Sequence, residues 1–207
     1  FTMLWNERIP RLQHRDAEGR LTTVTVVAGA LPGADTPLSP PPESWASQPE
    51  ADVAIWTLHL EPGARWTLPA ATGQGTRRML YYFVGDGLAV GPQAIRGHAA
   101  LEVVASQHWE LVNTGTTAVE CLLLQGRPIG EPVAQYGPFV MNTQQEIMQA
   151  MQDYRRTQFG GWPWAESDPV HGPEARRFAR YPGQTQDEVP SPVAAPGMAC
   201  ITPCDPR

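Results

Sequence analysis

Residues 126–164 read GRPIGEPVAQYGPFVMNTQQEIMQAMQDYRRTQFGGWPW, and this stretch decides the fold of the chain. It starts as the end of a strand and turns at Tyr136-Gly137-Pro138, where glycine and proline favour a tight reversal. Thr143 and Glu146 stand three residues apart, which is the spacing of a capping box that satisfies free backbone amides at a helix start. The stretch therefore predicts a strand, a turn and one capped helix, in that order.

The predicted helix covers residues 143–157 and is amphipathic. Its apolar residues recur at the spacing of one helix face, and they are Ile147, Ala150, Met151 and Tyr154. Gly160 and Gly161 are expected to end the helix, because glycine readily adopts the left-handed backbone found at helix C-termini. Such an apolar stripe needs a cover, since uncovered apolar surface promotes association.

Short β-strands separated by glycine and proline turns are predicted upstream of this stretch. They run over residues 21–28, 53–60, 65–69, 79–84, 88–90, 101–104, 108–112 and 118–125. Residues 53–60 alternate, which places Ala54, Trp56, Leu58 and Leu60 on one face of a strand. Asp86-Gly87 indicates a two-residue hairpin between strands 79–84 and 88–90. Strands at about 8–12-residue spacing indicate a sandwich or a barrel, so the core is predicted to be all-β.

A proline-rich segment precedes the densest run of strands. Residues 31–51 contain prolines at positions 32, 37, 40, 41, 42 and 49. The triple proline favours a polyproline helix, which a recognition domain would bind. We favour an ordered arm that wraps the barrel and is anchored by Trp45, because both flanks are strands and no basic specificity residue adjoins the prolines.

Five segments describe the expected organisation of the chain. Residues 1–30 hold a linker and the first strands, residues 31–51 form the arm, and residues 52–140 form the barrel. Residues 141–165 hold the helix and a Gly-Gly-Trp-Pro-Trp segment. Residues 166–207 are expected to be an extended tail, because their proline- and charge-rich composition is typical of a flexible terminus.

The composition argues against several classes of function. The net charge is −6, and the 15 basic residues, all arginines, form no stripe, so direct contact with nucleic acid is not expected. A chain without lysine and rich in alanine, glycine and proline indicates the codon bias of a GC-rich bacterial genome. No apolar run reaches membrane length and no secretory leader is present, so we expect a cytoplasmic protein without membrane contact.

The three cysteines fit no disulfide framework. Cys121 lies in the apolar run of residues 119–124 and is expected to be a buried core thiol. Cys200 and Cys204 are four positions apart in a proline-rich tail, and two further ligands are not evident nearby, so we expect no zinc site there.

Three blocks of the sequence carry a family resemblance. They are residues 2–5 with Ile9-Pro10, residues 26–29 with 62–63 and 67–71, and residues 126–142. Together they resemble the C-terminal half of the pirin family, proteins built from two cupin β-barrels (bicupins), over residues 1–189. The resemblance implies a cupin-type double-stranded β-helix, a jelly-roll barrel, with one C-terminal amphipathic helix. The family's N-terminal barrel carries a His-Pro-His block followed later by His-x-Glu, and that succession of blocks does not occur here, so we expect that barrel to be absent from this sequence.

Cupin barrels bind a metal ion through two sequence patterns, and the first is recognisable here without its ligands. It reads glycine, five residues, His-x-His, three or four residues, glutamate, six residues and glycine. Gly63 begins it, and Pro69 and Ala71 occupy the two histidine positions. Counting back from Gly85 places Arg78 at the glutamate position. A cationic side chain there repels a divalent ion, so we expect no metal at this point.

The second pattern is a histidine four positions before an asparagine. Asn113 anchors it, and Trp109 stands at the histidine position. His108 adjoins that position, and a one-residue bulge would turn it inward. We therefore predict no catalytic residue, no metal ligand and no cofactor in this chain. Arg78, His108 and Trp109 remain candidates for a pocket at the barrel mouth, where the guanidinium would pair with a carboxylate or phenolate ligand; we favour instead a salt bridge from Arg78 to a neighbouring acid.

The resemblance also bears on function. In the family an iron ion is bound in the N-terminal barrel by three histidines and one glutamate, and members are described as quercetin 2,3-dioxygenase-like enzymes or as redox-sensitive transcriptional co-regulators. We favour a metal-free domain with a structural or interaction role within a pirin. The alternatives are one half of an Fe(II)-dependent quercetin 2,3-dioxygenase whose catalytic barrel is absent, and a small-molecule-binding cupin.

Two partners are expected for such a domain. One is its own N-terminal pirin barrel. The other is a second copy, bound through the helix of residues 143–157, unless that helix packs back onto its own barrel.

Overall fold

Twelve β-strands and one α-helix make up the part of the chain that the computed structural model describes, which is residues 3–162, 176–181 and 183–190. The strands are β1 (Arg11–Arg15), β2 (Leu21–Ala28), β3 (Ala54–Leu60), β4 (Arg65–Leu68), β5 (Arg77–Val84), β6 (Leu88–Val90), β7 (Gln93–Ile95), β8 (Ala99–Glu102), β9 (Trp109–Asn113), β10 (Val119–Gly126), β11 (Ala134–Tyr136) and β12 (Phe139–Met141). The helix is α1 (Gln144–Thr157).

Two antiparallel sheets enclose the hydrophobic core. One has six strands in the order β1-β2-β3-β10-β5-β8, and the other has four in the order β4-β9-β6-β7. Buried side chains from both sheets meet in one cluster, with Trp56 and Leu58 from the first sheet and Leu68 and Leu111 from the second. Apolar surface buried between the sheets is the main favourable term in forming such a barrel. The predicted all-β core with a C-terminal helix is confirmed.

The alternation predicted for β3 decides which of its side chains enter the core. Its buried residues are Ala54, Trp56, Leu58 and Leu60. The residues between them are more exposed, because successive side chains of a strand point to opposite faces of a sheet. On the neighbouring β10, Cys121 is buried in the same way, and burial raises the pKa of its thiol to about 12. Cys121 is a core residue, as predicted, and it stays in the unreactive thiol form.

The hairpin predicted at Asp86-Gly87 is wrong, because the chain crosses there from one sheet to the other. β5 belongs to the six-stranded sheet and β6 to the four-stranded sheet. The Asp86 carboxylate accepts hydrogen bonds from the backbone N–H groups of Thr116 (2.9 Å) and Thr117 (3.1 Å). These bonds, together with those from the two hydroxyls, hold the pKa of Asp86 well below its usual range. Asp86 thus ties this crossing to the turn that leads into β10.

The capping box at the start of α1 is confirmed. The Thr143 hydroxyl accepts a hydrogen bond from the Glu146 N–H (3.2 Å), and the Thr143 N–H donates to the Glu146 carboxylate (2.8 Å). The predicted range ends where the helix ends, but Gln158 rather than Gly160 or Gly161 takes the left-handed position directly after it. α1 ends at Thr157, and Gln158 already has a left-handed backbone, with φ of 51°. None of the helices among the described residues is long and apolar enough to cross a membrane.

The helix packs against the hairpin formed by β11 and β12 rather than standing free. Ile147 and Ala150 are buried, while Tyr154 remains 44% exposed. The ring of Tyr154 makes edge contacts with Phe139 of β12, at a centroid distance of 6.2 Å, and with Phe159, at 5.3 Å. The hairpin therefore covers the N-terminal part of the apolar stripe and leaves its C-terminal part partly open.

The proline-rich arm lies against the barrel. Trp45 donates its indole N–H to the Arg127 carbonyl (3.0 Å), just after β10. The Arg127 N–H in turn donates to the Ala51 carbonyl (2.7 Å), at the end of the arm. Leu31 and Ala51 are buried at its two ends. These contacts hold both ends of the arm and its middle on the body of the protein.

Part of the expected extended tail is attached to the N-terminal segment. Ala179 and Glu188 form an antiparallel bridge, so the chain reverses between them. The Glu188 carboxylate accepts the indole N–H of Trp5 (2.7 Å), and Arg177 forms an ion pair with Glu7. Residues 163–175, 182 and 191–207 lie outside the described residues, and so do Cys200 and Cys204, for which a zinc site was not expected.

Candidate functional site at the barrel mouth

Arg78 and Gln125 stand side by side on the inner face of the six-stranded sheet. Arg78 belongs to β5 and Gln125 to β10, and the two are direct partners in the ladder. Their inward direction follows from alternation, since Leu80 and Leu123, two residues away on the same strands, are both core residues. Only 1% of the Arg78 surface is exposed. The end of an otherwise apolar inner face therefore holds a buried guanidinium.

The Arg78 guanidinium joins the two sheets of the barrel. Its Nε and Nη2 atoms donate to the side-chain oxygen of Gln125, the Nε bond measuring 2.8 Å. Its Nη1 atom donates to the carbonyl of Pro69 (2.7 Å), one residue after β4 in the opposite sheet. We call this arrangement the Arg78 bridge. It spans the point at which the sequence pattern would place the metal ion.

The salt bridge favoured for Arg78 is wrong, because its hydrogen-bond partners are neutral. All the acceptors that it uses are amide or carbonyl oxygens, and among the described residues no carboxylate lies within 4.0 Å of its guanidinium. Burial lowers the pKa of Arg78, and the more distant charge of Asp52 opposes that shift. An arginine remains protonated in proteins, so the barrel mouth carries a positive charge whose direct hydrogen-bond partners are neutral dipoles, with the Asp52 charge further away.

Asp52 organises the loop that follows β4. Its carboxylate accepts hydrogen bonds from the Gly73 N–H (2.9 Å) and the Thr76 hydroxyl (2.7 Å). Its backbone carbonyl accepts the side-chain N–H of Gln125 (3.0 Å). One residue therefore holds both the loop and the amide that binds Arg78. Because each partner is held by another, the guanidinium has few alternative positions.

A groove of about 570 Å³ lies beside this network. It is lined by the loop of residues 71–77 and by residues 102–106. An ion pair between Arg77 and Glu102 (2.7 Å) stands at its rim. Arg78 itself is not among the lining residues, because its side chain points into the barrel and is covered.

His108 and Trp109 lie at the same end of the barrel but make separate contacts. Trp109 pairs with Leu68 in an unbroken ladder between β4 and β9, so no bulge turns His108 inward. His108 is exposed, and its Nδ1 atom accepts a long hydrogen bond from the Ala70 N–H (3.4 Å). Trp109 donates its indole N–H to the Val104 carbonyl (3.0 Å). Arg78 and His108 thus form hydrogen bonds with two consecutive residues, Pro69 and Ala70. The three candidate residues do not line one common cavity.

The residues at the ligand positions do not fit a divalent metal ion. Pro69 and Ala71 have no side-chain donor atom, and the indole of Trp109 offers no lone pair for a metal. Arg78 places a positive charge at the remaining position. Among the described residues, no group of three or more His, Cys, Asp or Glu side chains is arranged to hold an ion.

Gln125 and Asp52 are the two site residues that the sequence analysis missed. Gln125 had a detectable signal, because it follows the buried residues Cys121 and Leu123 at two-residue spacing, and a polar side chain on the inner face of a strand requires a partner. Asp52 had no such signal. Its role depends on a left-handed backbone (φ 48°) and on a loop 21 to 24 residues further along the chain.

Comparison with known proteins shows the family to which the barrel belongs. The sequence pattern of the family described as the pirin C-terminal cupin domain matches residues 55–160. A Pseudomonas aeruginosa protein, provisionally named as a quercetin 2,3-dioxygenase, is 32% identical over 149 residues, which is 72% of this chain and 49% of the relative. A pirin-like protein of Solanum lycopersicum is 31% identical over 157 residues, again 72% of this chain and 49% of the relative.

A solved structure shares the fold. The crystal structure of a quercetin 2,3-dioxygenase from Acinetobacter baumannii superimposes with a TM-score of 0.58 at 25% identity. The match covers 76% of this chain and 49% of that protein. The chain thus spans about half the length of these relatives. The family match confirms the cupin type of the barrel.

Proposed function

The chain belongs to the pirin family, of which it carries the C-terminal cupin domain, and from this premise we propose that it acts as a metal-free barrel with a structural or interaction role. The observation that carries the proposal is the Arg78 bridge. In a metal-binding cupin, ligands on facing strands meet at an ion. Here an internal guanidinium connects β5 and β10 to the segment after β4.

The Arg78 guanidinium opposes metal binding at this point through its charge and through the hydrogen bonds that it makes. A divalent cation a few ångströms from a buried guanidinium is repelled strongly, because the interior screens charges poorly. Expelling the guanidinium would leave the Gln125 side-chain oxygen and the Pro69 carbonyl without their donor. The barrel mouth therefore favours the Arg78 guanidinium over an added metal ion.

A second candidate is that the chain forms one half of a two-barrel, Fe(II)-dependent quercetin 2,3-dioxygenase. The support is the fold shared with the Acinetobacter baumannii enzyme and the span of about half of that protein's length. On this account the iron and the catalytic residues belong to an N-terminal barrel, and this chain supplies the partner barrel. The small-molecule-binding alternative has less support, because the guanidinium it depends on is covered and its partners are internal.

The proposal extends to partners and location. We propose that the domain docks onto another protein domain, with an N-terminal pirin barrel as one such partner. A cytoplasmic location in a bacterial cell is supported by the cysteine usage and by the all-arginine composition.

Metal analysis of the purified chain tests the proposal. After expression in iron-supplemented medium, we expect iron far below one atom per chain and no change of the unfolding temperature with EDTA. A tightly bound ion would stabilise the folded state by several kcal/mol, so removing it with EDTA would lower the unfolding temperature measurably. Stoichiometric iron that EDTA removes, with a lower unfolding temperature, would overturn the proposal.

Oxygen uptake with quercetin tests what the first two candidates share, namely that this barrel holds no catalytic site. The chain alone, incubated with Fe(II), is expected to consume no oxygen above the background without protein. The Acinetobacter baumannii enzyme serves as the positive control. Turnover by this chain alone would contradict both candidates, since neither places the catalytic site in this barrel.

A further inference from the structure

The outer face of the six-stranded sheet is apolar at its centre. We call this surface the outer apolar face, and its residues are Ile55 on β3, Leu122 and Leu124 on β10, and Met79, Tyr81 and Phe83 on β5. Leu124 is 37% exposed, Tyr81 36% and Phe83 44%. The other three are half-buried.

The strand register makes these residues contiguous. Leu124 lies opposite Ile55 on one side and Met79 on the other. Leu122 lies opposite Tyr81 in the next row of the same face. Directly opposed side chains in an antiparallel pair are in contact range, so these five residues form one surface. Phe83 follows Tyr81 at two-residue spacing on β5, where the register shifts between Glu120 and Cys121. It lines a small cavity with Thr57 and His59.

This pattern is unusual for an antiparallel sheet with one face in water. Such strands alternate between apolar residues inside and polar residues outside, whereas β10 is apolar on both faces from Cys121 to Leu124. The other sheet follows the rule, since the outward residues Arg65, Thr67 and Glu110 are polar. Continuous apolar runs are typical of strands that are covered on both faces.

We propose that the outer apolar face is the surface through which two copies of this chain associate, sheet against sheet. The proposal rests on the interaction role proposed above and names the surface and the partner. The outer apolar face, rather than helix α1, is then the main contact between the two copies. Ile147 and Ala150 of α1 are already covered by the β11–β12 hairpin, whereas no described segment covers Phe83 or Tyr81 to that extent.

Charge and shape favour a second copy as the occupant. Each end of the face carries one acidic and one basic group: Arg77 is paired with Glu102 at one end, and His59 lies opposite Glu120 at the other. A two-fold rotation can therefore superpose the ends without forcing like charges together. An identical sheet also has the same twist, which is what aligned packing at about 30° requires.

The size of the face sets the expected strength of association. With strands about 4.8 Å apart and residues about 3.3 Å apart, the face measures on the order of 15 Å by 15 Å. Stable complexes bury about 800 Å² on each partner. The pairing should therefore be weak and concentration-dependent.

Sedimentation velocity on the whole chain tests the proposal. We expect a shift from the 22.7 kDa monomer towards twice that mass as the concentration rises from about 5 to about 500 µM, a range that brackets the Kd of a weak complex. Phe83→Glu should weaken association at least tenfold. Phe83→Thr keeps strand propensity and removes only apolar surface, so it should weaken association too, with circular dichroism confirming the fold of both variants.

Met148→Glu is the matched control, because Met148 is an exposed apolar residue on α1. It should leave the association unchanged. A monomer throughout the concentration range, or association lost in Met148→Glu and kept in Phe83→Thr, would overturn the inference. Either result is independent of the iron content, which tests the metal-free barrel by itself.

Discussion

The inner and outer faces of β5 and β10 each depart, at one place, from the pattern of most antiparallel sheets. Inside, where apolar contact is the rule, Arg78 and Gln125 form a buried polar network. Outside, where polar residues are the rule, Leu124 and Tyr81 are apolar and partly exposed. Both departures occur on the same two strands. On these two strands the interior satisfies the hydrogen bonds of its own polar groups, whereas the exterior leaves apolar surface partly exposed, and that exposure is the basis of the association proposed above.

The largest effect is expected from a pair of adjacent residues that face opposite ways. Leu123 is fully buried, so Leu123→Ala should lower the free energy of unfolding by about 3 kcal/mol through lost burial and a cavity. Leu124→Ala should cost less than about 1 kcal/mol in dilute solution, because that side chain is partly exposed. Urea unfolding at low concentration measures both.

The substitutions at Leu123 and Leu124 should also differ in their effect on self-association at high protein concentration. Leu124→Ala should then weaken self-association, whereas Leu123→Ala should not. Equal costs for the two substitutions in dilute solution would contradict the assignment of Leu124 to an open face.

A smaller effect is expected at the Arg78 bridge. Arg78→Met leaves the Gln125 side-chain oxygen and the Pro69 carbonyl without a donor, so it should lower the free energy of unfolding by about 2 kcal/mol. Arg78→Met combined with Gln125→Met removes most of the network and should recover about half of that loss, since an apolar replacement of a buried polar group is often nearly neutral. Urea unfolding measures both variants.

Arg77→Met is the matched control for the bridge. Arg77 is the preceding residue, and its ion pair with Glu102 is exposed, so the change should stay within about 0.5 kcal/mol. A cost at Arg77 equal to that at Arg78 would show that the buried bridge has no special role in joining the sheets.

The smallest effect is expected from acid, at the opposite end of the barrel. The pKa of Asp86 is lowered in the folded protein, so the unfolded chain binds more protons and acid favours unfolding. The stabilisation from Asp86 is present above the unfolded pKa of about 3.9 and is lost as the pH falls towards the folded pKa. Unfolding temperatures between pH 5 and pH 2 should therefore fall less steeply for Asp86→Asn than for the unmodified chain. Identical slopes would contradict this role.

Local sequence patterns were sufficient for much of the fold. The alternation in residues 53–60 identified the core face of β3, and Thr143 with Glu146 located the start of α1 to the residue. Both signals depend only on residues a few positions away, so they can be read without knowing the tertiary structure. The positions of the metal frame also led directly to Arg78.

Elements that depend on distant partners were missed or misjudged. β1 has the polar sequence RLQHR and forms a strand because it pairs with β2. Asp86-Gly87 looks like a hairpin turn, but the hydrogen bonds from Thr116 and Thr117 direct the chain to the other sheet. A glycine-containing turn is compatible with either path, so its local sequence does not choose between them.

The amino-acid sequence by itself determined the family, the all-β core, the capped helix and the absence of metal ligands at the pattern positions. The tertiary structure alone decided that Arg78 bonds to neutral oxygens of Pro69 and Gln125, which lie 9 and 47 residues away. It also decided that, in the described part of the chain, the outer apolar face is partly exposed while the β11–β12 hairpin buries Ile147 and Ala150 of the helix. The physical reason is the same in both cases. Alternation tells which way a side chain points, whereas the groups that meet it there come from remote parts of the chain.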